Sequence, residues 1–506
     1  MLLNVSITVV IGLIPIFLRT IIINKNLHHR NWTYAAIGLL FAMHSHAGND
    51  HRYTISVDAS LSEMTVTAHF STAVTDISAR SEDAPQFLVA AYDCDSDEKL
   101  ETRGRRLVLP DAGINCLNYR VDLREAANIG RHEQILDPAN IAVSPTLWMW
   151  RPRLAAADEI HVQFRLPDNV QVSVPWQPLD NINNGYRLVA SPQSGTGIAI
   201  FGAFTSIVVD VAGTALRIAV LNSHNVIDTP AVTEWVRETA GNIALTYGRF
   251  PNSSARIVVI PVGQSMWGGD AAVPFGRVVR DGGETIELFI NEGRPVSEYY
   301  GTWTATHEFS HLLLPYLQRS QRWISEGFAQ YYQNLLLARA GQYTESYAWQ
   351  ELFDGFERGR QSAPGASPNA ATAEGERGAR MKIYWSGAAL ALIADVELRR
   401  RSDGRESLDT VLDRMQQCCL PSARTWSGTD LFRQFDSLLV EPLFMDLYRQ
   451  YADATGFPDV RPLLEQLGVR AEGGEVRLSD DAELATIRRS LMARKPRTSS
   501  RAADRR

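Results

Sequence analysis

Residues 306–314, THEFSHLLL, place two histidines four positions apart, with a glutamate directly after the first. On an α-helix, positions i and i+4 share a face, so the imidazoles of His307 and His311 can reach a single ion. Glu308 stays close to that ion without binding it, which is the HExxH pattern of two zinc ligands and a general base. Such a site needs a further ligand, so another element must fold back over this helix. The open alternative is an amphipathic helix that carries two histidines by chance.

The residues that follow His311 restrict the choice of a third ligand. No histidine occurs after it, and the first acidic residue is Glu326, in the stretch RWISEGFAQYYQNLL. This stretch has a helical, aromatic-rich pattern, and a turn over residues 315–322 would make it antiparallel to the HExxH helix. Glu326 would then lie over the two histidines. The sequence therefore predicts a His₂Glu metal site formed by His307, His311 and Glu326.

The segments HEFSH and WISEGFAQYY resemble the gluzincin metallopeptidases, in particular the aminopeptidase N and glycyl aminopeptidase families. These families follow HExxH with the pattern W-x-x-E-G-F-A-x-Y on a second helix, although the present connection is shorter than in aminopeptidase N. The resemblance is strong over residues 302–335. It implies one Zn²⁺ per chain, held by His307, His311 and Glu326. It also implies that Glu308 takes a proton from a zinc-activated water and returns it to the leaving amine.

The same families carry a tyrosine that donates a hydrogen bond to the oxyanion, in a Y-x-x-G segment beyond the third ligand. The stretch KIYWSGAAL supplies Tyr384 and Gly387 at the corresponding place. Such a donor is needed because negative charge develops on the carbonyl oxygen during hydrolysis. The resemblance therefore implies that Tyr384 stabilises the oxyanion. A packed helix aromatic is the alternative interpretation.

Aminopeptidases of this kind also bind the free amine of the substrate through an acidic residue on an edge strand upstream of HExxH. At that place the sequence reads MWGGDAAVPFGRVV. Gly268 and Gly269 would let a peptide backbone approach closely, and Asp270 is the candidate carboxylate. Aspartate is shorter than the glutamate of the families, and it stands one place early for their G-G-x-E pattern. A plain Gly-Gly-Asp turn is the alternative.

Hydrophobic patterning predicts an α+β multidomain protein. Period-2 stretches such as YTISVDAS and MTVTAHFS indicate half-buried strands, whereas apolar spacing beyond Trp323 indicates helices over 323–340, 344–358, 380–400, 407–417 and 428–453. The resemblance adds a thermolysin-like α/β catalytic core. The predicted order is a leader (1–47), an N-terminal antiparallel β domain (48–212), the catalytic core (213–341), a C-terminal α-helical region (342–480) and a basic disordered tail (481–506).

The N-terminal residues predict export to the periplasm or outside the cell. An apolar stretch, 34–43, follows a basic segment and ends in Ser45-His46-Ala47, as in a secretory signal. A longer apolar segment, 5–23, is either a membrane anchor or lies before the true start of the protein, which would then be near Leu27. In an exported protein we expect Cys94 and Cys116 to form a disulfide, and two unpaired thiols are the alternative. The state of Cys418 and Cys419 stays open.

The net charge of −7 argues against nucleic-acid binding, which needs a basic face. We therefore expect an exported zinc metallopeptidase, in the first instance an aminopeptidase, that acts on peptide or protein substrates. An endopeptidase using the same site is one alternative. A non-catalytic binding or scaffold protein on a peptidase fold is the other. The sequence gives neither the preferred side chains nor the oligomeric state.

Overall fold

A computed structural model describes residues 48–494 apart from short gaps. The gaps are residues 130–133, 138–139, 156, 181, 194, 223–226, 263–269, 374 and 376–377. The predicted leader, the end of the predicted tail, Gly268 and Gly269 therefore lie outside the described residues. Among the helices of the described part, none has the length and apolar character needed to cross a membrane.

The first part of the described chain is built mainly of strands. Its elements are β1 (Asp50–Val57), β2 (Glu63–Val74), α1 (Ala84–Phe87), β3 (Leu88–Asp93), β4 (Thr102–Arg103), β5 (Arg106–Leu107), β6 (Ile114–Asp122), α2 (Leu123–Asn128), β7 (Gln134–Asp137), β8 (Asn140–Val143), α3 (Pro145–Trp148), β9 (Glu159–Arg165), β10 (Gln171–Ser173), β11 (Gln177–Pro178), β12 (Gly185–Val189) and β13 (Ala199–Gly202). One sheet has the order β11-β12-β9-β1-β2-β6-β3, and a second has the order β10-β13-β8-β7. The alternating pattern of β1 buries Tyr53, Ile55 and Val57, as period-2 patterning predicts.

The N-terminal domain was predicted to be antiparallel, and most of its strand pairs are, but β1 pairs with β9 in parallel. Ile55 lies opposite Phe164 in this pair, while the other neighbour of β1 is the antiparallel strand β2. A parallel neighbour requires a long crossover, and residues 123–158 between β6 and β9 provide it. Strand patterns show which residues are buried but not which strands become neighbours.

A mixed five-stranded sheet forms the next layer. It contains β14 (Thr205–Val211), β15 (Thr214–Val220), β16 (Ser254–Val262), β17 (Phe275–Arg280) and β18 (Glu284–Asn291), in the order β14-β15-β16-β18-β17. Strands β15, β16 and β18 are parallel, and β17 is an antiparallel edge strand. Buried apolar side chains of β8 and β13 pack against those of β15, β16 and β18, so this sheet lies against the preceding one.

The predicted boundary between residues 212 and 213 falls inside a β-hairpin of this sheet. Strands β14 and β15 pair in register up to Val211 and Thr214. The two residues between them, Ala212 and Gly213, have φ values of 49° and 85°, which suits a two-residue hairpin turn. Strand β14 therefore belongs to the same sheet as the strands of the predicted core.

Helices make up most of the remaining chain. They are α4 (Thr229–Ile243), α5 (Trp303–Ser310), α6 (Arg322–Arg339), α7 (Glu345–Gln361), α8 (Pro368–Ala373), α9 (Arg380–Arg401), α10 (Leu408–Cys419), α11 (Gly428–Ser437), α12 (Phe444–Tyr451), α13 (Arg461–Gln466) and α14 (Ala485–Met492), with a short hairpin of β19 (Val469–Glu472) and β20 (Glu475–Leu478) before the last helix. One continuous apolar core joins the five-stranded sheet to these helices. Helix α6 runs through its centre, and most of its side chains are buried.

The single helix predicted over 428–453 is two helices, α11 and α12. Pro442 lies between them and has no backbone N–H to continue a helical ladder. The carboxylate of Asp436, near the end of α11, accepts hydrogen bonds from the backbone N–H groups of residues 443, 444 and 445 at 2.7–2.9 Å. It therefore caps the start of α12, so the break is stabilised by a specific group.

The tail predicted to be disordered from residue 481 begins with an ordered helix, α14. Arg488 is buried and bonds to Glu345 at 2.9 Å and to Asp480 at 2.6 Å. Leu491 is fully buried, and its carbonyl accepts a hydrogen bond from Arg339 on α6. The basic composition of this segment led to the prediction of disorder, but the apolar and charged side chains of α14 both have partners.

Two disulfides occur in the described residues. Cys94 and Cys116 are paired, which confirms the predicted bridge and ties the end of β3 to β6. Cys418 and Cys419, which the sequence left open, are paired with each other at the end of α10.

Candidate active site

The two histidines of the HExxH motif lie at the end of α5, beneath the five-stranded sheet. Their rings are perpendicular, with centroids 4.8 Å apart. His307 is in the last turn of α5, and His311 begins the short 3-10 turn that follows it. Pro315 then ends the helical path, and the chain reverses into α6. The turn over residues 315–322 thus has the role that the sequence predicts.

Glu326, in the second turn of α6, faces both imidazoles. Its Oε2 lies 3.2 Å from His307 Nε2 and 3.6 Å from His311 Nε2. All three candidate ligand atoms lie within 4.8 Å of one another. Two ligands that each lie about 2.0–2.1 Å from a tetrahedral zinc are separated by about 3.4 Å. The type and spacing of the donors therefore fit a zinc ion, and one coordination position remains for water or substrate.

Three further side chains of α6 hold these ligands in place. His307 Nδ1 donates to Gln333 Oε1 at 2.9 Å, and His311 Nδ1 lies 3.1 Å from Ser325 Oγ. Because each Nδ1 has a partner, each Nε2 is left to face the common point between the rings. Arg322 Nε donates to the second carboxylate oxygen, Oε1, at 2.7 Å.

The pKa shifts of the candidate ligands show whether they can receive a cation. Burial by itself would raise the pKa of Glu326, but the neighbouring imidazoles and Arg322 hold that pKa well below its ordinary value. Burial by itself would lower the pKa of His307, but its bond to Glu326 and the charge of Glu308 outweigh burial and raise it. The Glu326 carboxylate is therefore anionic at neutral pH.

Glu308 is buried beside the two histidines and is packed against the edge strand β17. A Cβ atom built on Gly276 would lie 2.5 Å from Glu308 Cγ, so the absence of a side chain at residue 276 makes room for the carboxylate. Burial raises the pKa of Glu308, while His307 and His311 oppose this effect. A carboxylate with a raised pKa is a better proton acceptor near neutral pH.

Tyr384 reaches the site because α9 touches α6 along the backbone. A Cβ atom built on Gly327 would clash with the backbone of Gly387, and one built on Gly387 would clash with the carbonyl of Trp323. Gly327 directly follows Glu326, and Gly387 lies three residues after Tyr384. The contact between the two glycines therefore determines how close Tyr384 lies to the candidate ligands. The Tyr384 ring stacks on the His307 ring with centroids 5.9 Å apart.

The hydroxyl of Tyr384 is available as a hydrogen-bond donor. Burial raises the pKa of Tyr384, so the phenol keeps its proton. Arg322 approaches the hydroxyl oxygen at 3.5 Å. The structure therefore brings together five of the predicted site residues, which are His307, Glu308, His311, Glu326 and Tyr384.

These residues form one wall of a cavity of about 430 Å³. The edge strand β17 forms the facing wall, and Trp303 of α5 and Arg319 lie at its rim. The cavity is large enough for several residues of an extended peptide or for a small molecule. Candidate ligands, candidate base and candidate oxyanion donor all face this one space.

The architecture resembles that of solved structures. An aminopeptidase N family protein of Idiomarina loihiensis superposes with a TM-score of 0.61 at 14% identity, covering 83% of this chain and 78% of that one. Yeast LTA4 hydrolase gives a TM-score of 0.50 at 12% identity, over 83% and 70% of the two chains. The chain has the gluzincin aminopeptidase-like fold.

Other comparisons add little to this assignment. An M1 zinc metallopeptidase from Deinococcus radiodurans, at 13% identity, covers 81% of this chain and 94% of its own, but its TM-score of 0.48 carries no argument. No protein-family model matches the sequence, and no curated protein matches it either. At these identities the likeness establishes the aminopeptidase-like fold alone.

The predicted amine-binding residue does not reach the site in this aminopeptidase-like fold. The side chain of Asp270 is 69% exposed and forms an ion pair with Arg294 at 3.1 Å. Asp270 does not line the cavity, whereas residues 274–278 further along the chain do. The sequence placed the edge strand too early, because Asp270 precedes β17 by several residues. Gly268 and Gly269 lie outside the described residues.

Several residues that shape the site were missed by the sequence analysis. Arg322 and Gln333 stand four residues before and seven residues after Glu326, so helical spacing on α6 could have placed them on the same face. Ser325 adjoins Glu326 and could have been noted as a partner for an imidazole. No sequence signal identifies Gly276, because its role depends on how β17 packs against α5.

Proposed function

We propose that the chain is a zinc-dependent metallopeptidase that hydrolyses peptide bonds and holds one zinc ion. The observation that carries this proposal is the convergence of His307 Nε2, His311 Nε2 and the Glu326 carboxylate on one point, with Glu308 buried beside them. The five-stranded sheet with α5 and α6 would then be a thermolysin-like catalytic core. When bound at this point, zinc would supply Lewis-acid polarisation of the scissile carbonyl and make water more acidic.

The remaining steps belong to side chains of the chain itself. Glu308 accepts a proton from the attacking water and delivers it to the leaving amine, because it is the one carboxylate beside the ligands that is not itself a candidate ligand among the described residues. The Tyr384 hydroxyl donates a hydrogen bond to the oxygen that gains negative charge. Gly276 leaves the space in which the Glu308 carboxylate sits.

The variant Glu308→Gln tests this proposal, because it removes the base and leaves the three ligands intact. We expect the variant to bind zinc like the parent protein and to lose about 10²–10⁴-fold in peptide hydrolysis. Glu441→Gln, which changes an exposed glutamate between α11 and α12, is the matched control and should keep full activity. Unchanged turnover in Glu308→Gln would contradict the proposed role of Glu308. A parent protein that neither binds metal nor cleaves peptides would support the non-catalytic alternative.

The position of the cleaved bond, at the N-terminus of the peptide or within it, is a separate part of the proposal. The fold favours an aminopeptidase. The position of Asp270, exposed and paired with Arg294, favours the endopeptidase alternative, because it leaves no predicted acid in the cavity for a free amine. Peptides of one sequence with a free or an acetylated N-terminus separate the two. Cleavage of acetylated peptides alone would rule out the aminopeptidase version.

We also propose that the protein acts in the periplasm or outside the cell, or is anchored to the membrane if its N-terminal apolar segment is retained. Two disulfides within the described residues support an oxidising compartment. Sequencing the N-terminus of the mature protein would test this. A start near Gly48 would indicate cleavage of a signal, and a retained Met1 would indicate an anchor.

A further inference from the structure

The cavity has an unusual balance of charge. Five arginines line it, and among the described residues only two carboxylates do, the candidate base Glu308 and the candidate ligand Glu326. The arginines are Arg277, Arg280, Arg319, Arg322 and Arg380. Neither carboxylate is available to a substrate cation if both have their proposed roles. The surplus of positive charge therefore bears on which substrates the cavity can hold.

Three of these arginines are neutralised within the protein. Arg277 on β17 forms an ion pair with Glu287 on β18, and Arg280 forms one with Glu284 at 2.8 Å. Arg280 also donates to two backbone carbonyls after α5. The third, Arg322, is bonded to the candidate ligand carboxylate at 2.7 Å. These three guanidinium groups stabilise the walls of the cavity, and each already has a carboxylate partner within the protein.

Arg319 and Arg380 differ from the other three. Both are exposed, and neither lies within ion-pair distance of a carboxylate in the part of the chain that the structure describes. The Arg380 guanidinium lies over the Tyr384 ring, 5.7 Å from its centroid, and this ring stacks in turn on His307. The Arg380 guanidinium, which has no carboxylate partner among the described residues, is thus separated from the candidate metal ligands by a single ring. Arg319 begins the 3-10 turn that leads into α6, and it lines the same cavity.

We propose that Arg319 and Arg380 bind a carboxylate group of the substrate, so that acidic peptides are the preferred substrates of this cavity. The proposal rests on the peptidase activity proposed above and names its substrate class. A guanidinium group matches the planar geometry of a carboxylate, and a cleft lined by one sign of charge concentrates ligands of the opposite sign. A substrate ammonium group would instead meet unpaired arginines, which disfavours basic peptides.

The carboxylate can come from an acidic side chain near the scissile bond or from the free C-terminus of a short peptide. Matched peptides distinguish these sources. One set carries Glu, Gln or Lys at each position around a fixed cleavage site, and a second set carries a C-terminal acid or amide. We expect kcat/KM to fall in the order Glu, Gln, Lys if a side chain is bound, and to fall from acid to amide if the C-terminus is bound. Equal rates across both sets, or a preference for Lys, would overturn the proposal.

Variants then assign the preference to the two arginines. Arg380→Gln and Arg319→Gln should each lower the ratio of kcat/KM for the acidic peptide to that for its neutral counterpart by about threefold to fivefold, because exposed charge pairs have modest energies. The double variant should remove most of the preference. Arg433→Gln, an exposed arginine on α11 that does not line the cavity, should leave it unchanged. A preference that survives the double variant would contradict the assignment.

A binding measurement separates failure of this inference from failure of the proposed function. The Glu308→Gln variant, loaded with zinc, is titrated calorimetrically with the same peptides, so that no turnover is needed. We expect tighter binding of the acidic peptide, weakened by salt as charge pairing requires, and weakened again when Arg319→Gln and Arg380→Gln are added. Peptide hydrolysis without any charge preference would overturn only the inference. Charge-dependent binding by a parent protein that cleaves no peptide would overturn only the proposed catalysis.

Discussion

Replacing Gly276 by alanine tests whether the position of Glu308 depends on the edge strand. The added Cβ would lie 2.5 Å from Glu308 Cγ and 3.4 Å from its Oε1. Carbon atoms that are not bonded to each other favour separations of about 3.5–4.0 Å, so the Glu308 side chain must move by about 1 Å or more. A shift of this size in a catalytic group costs about 10²-fold in rate. We therefore expect kcat of Gly276→Ala to fall about 10²-fold.

We expect Gly276→Ala to bind zinc like the parent protein. The nearest atoms to the added Cβ all belong to Glu308, and the three candidate ligands lie on α5 and α6. Zinc content measured by elemental analysis should thus remain at one ion per chain, and the thermal unfolding midpoint should remain close to that of the parent. Kinetics on a fluorogenic peptide would supply kcat and KM.

A matched glycine controls for the general effect of adding a methyl group. Gly241, in α4, has open space around the position of a Cβ, so Gly241→Ala should keep full activity. Full kcat in Gly276→Ala would show that Glu308 either is not held against β17 or is not the base. Loss of zinc from Gly276→Ala would show that the change disturbs the ligands, which the described geometry does not predict.

Three further predictions follow from individual contacts. Tyr384→Phe should lower kcat about 10²–10³-fold with little change in KM, since the lost donor acts on the oxyanion; an unchanged kcat would leave Tyr384 a packing residue. Gln333→Ala should weaken zinc affinity about 10–100-fold, measured by competition with a chelator, because it frees Nδ1 of His307. Arg339→Met should lower the free energy of unfolding by about 3–5 kcal/mol, because it leaves the Asp409 carboxylate buried without its cation. An unchanged denaturation midpoint would show that this ion pair contributes nothing.

The geometry of the candidate metal site could be predicted from the sequence because it depends on short-range helical spacing. His307 and His311 share a face by the i, i+4 rule, and a proline followed by a second helix brings Glu326 back. The position of Tyr384 was inferred only through resemblance. Its physical basis is the contact between Gly327 and Gly387, which depends on two helices that are far apart in sequence. Helical spacing therefore predicts the three candidate ligands, whereas the position of Tyr384 depends on tertiary packing.

The features that the sequence did not predict are set by tertiary packing. The parallel pairing of β1 with β9 depends on the path of the crossover and not on the pattern of either strand. Asp270 was chosen for its place before HExxH, but it precedes the edge strand and pairs with Arg294 instead. The order of α14 depends on Arg488, which pairs with Glu345 of α7 as well as with the nearby Asp480, and Glu345 is the deciding neighbour. In each case the deciding neighbour is distant in the chain.

Anomalous scattering at the zinc absorption edge, from crystals grown with zinc, tests the central claim most directly. The account predicts one strong peak per chain, about 2.0–2.2 Å from His307 Nε2, His311 Nε2 and a carboxylate oxygen of Glu326. A map without a peak between these three side chains, or a peak whose ligands exclude Glu326, would contradict it.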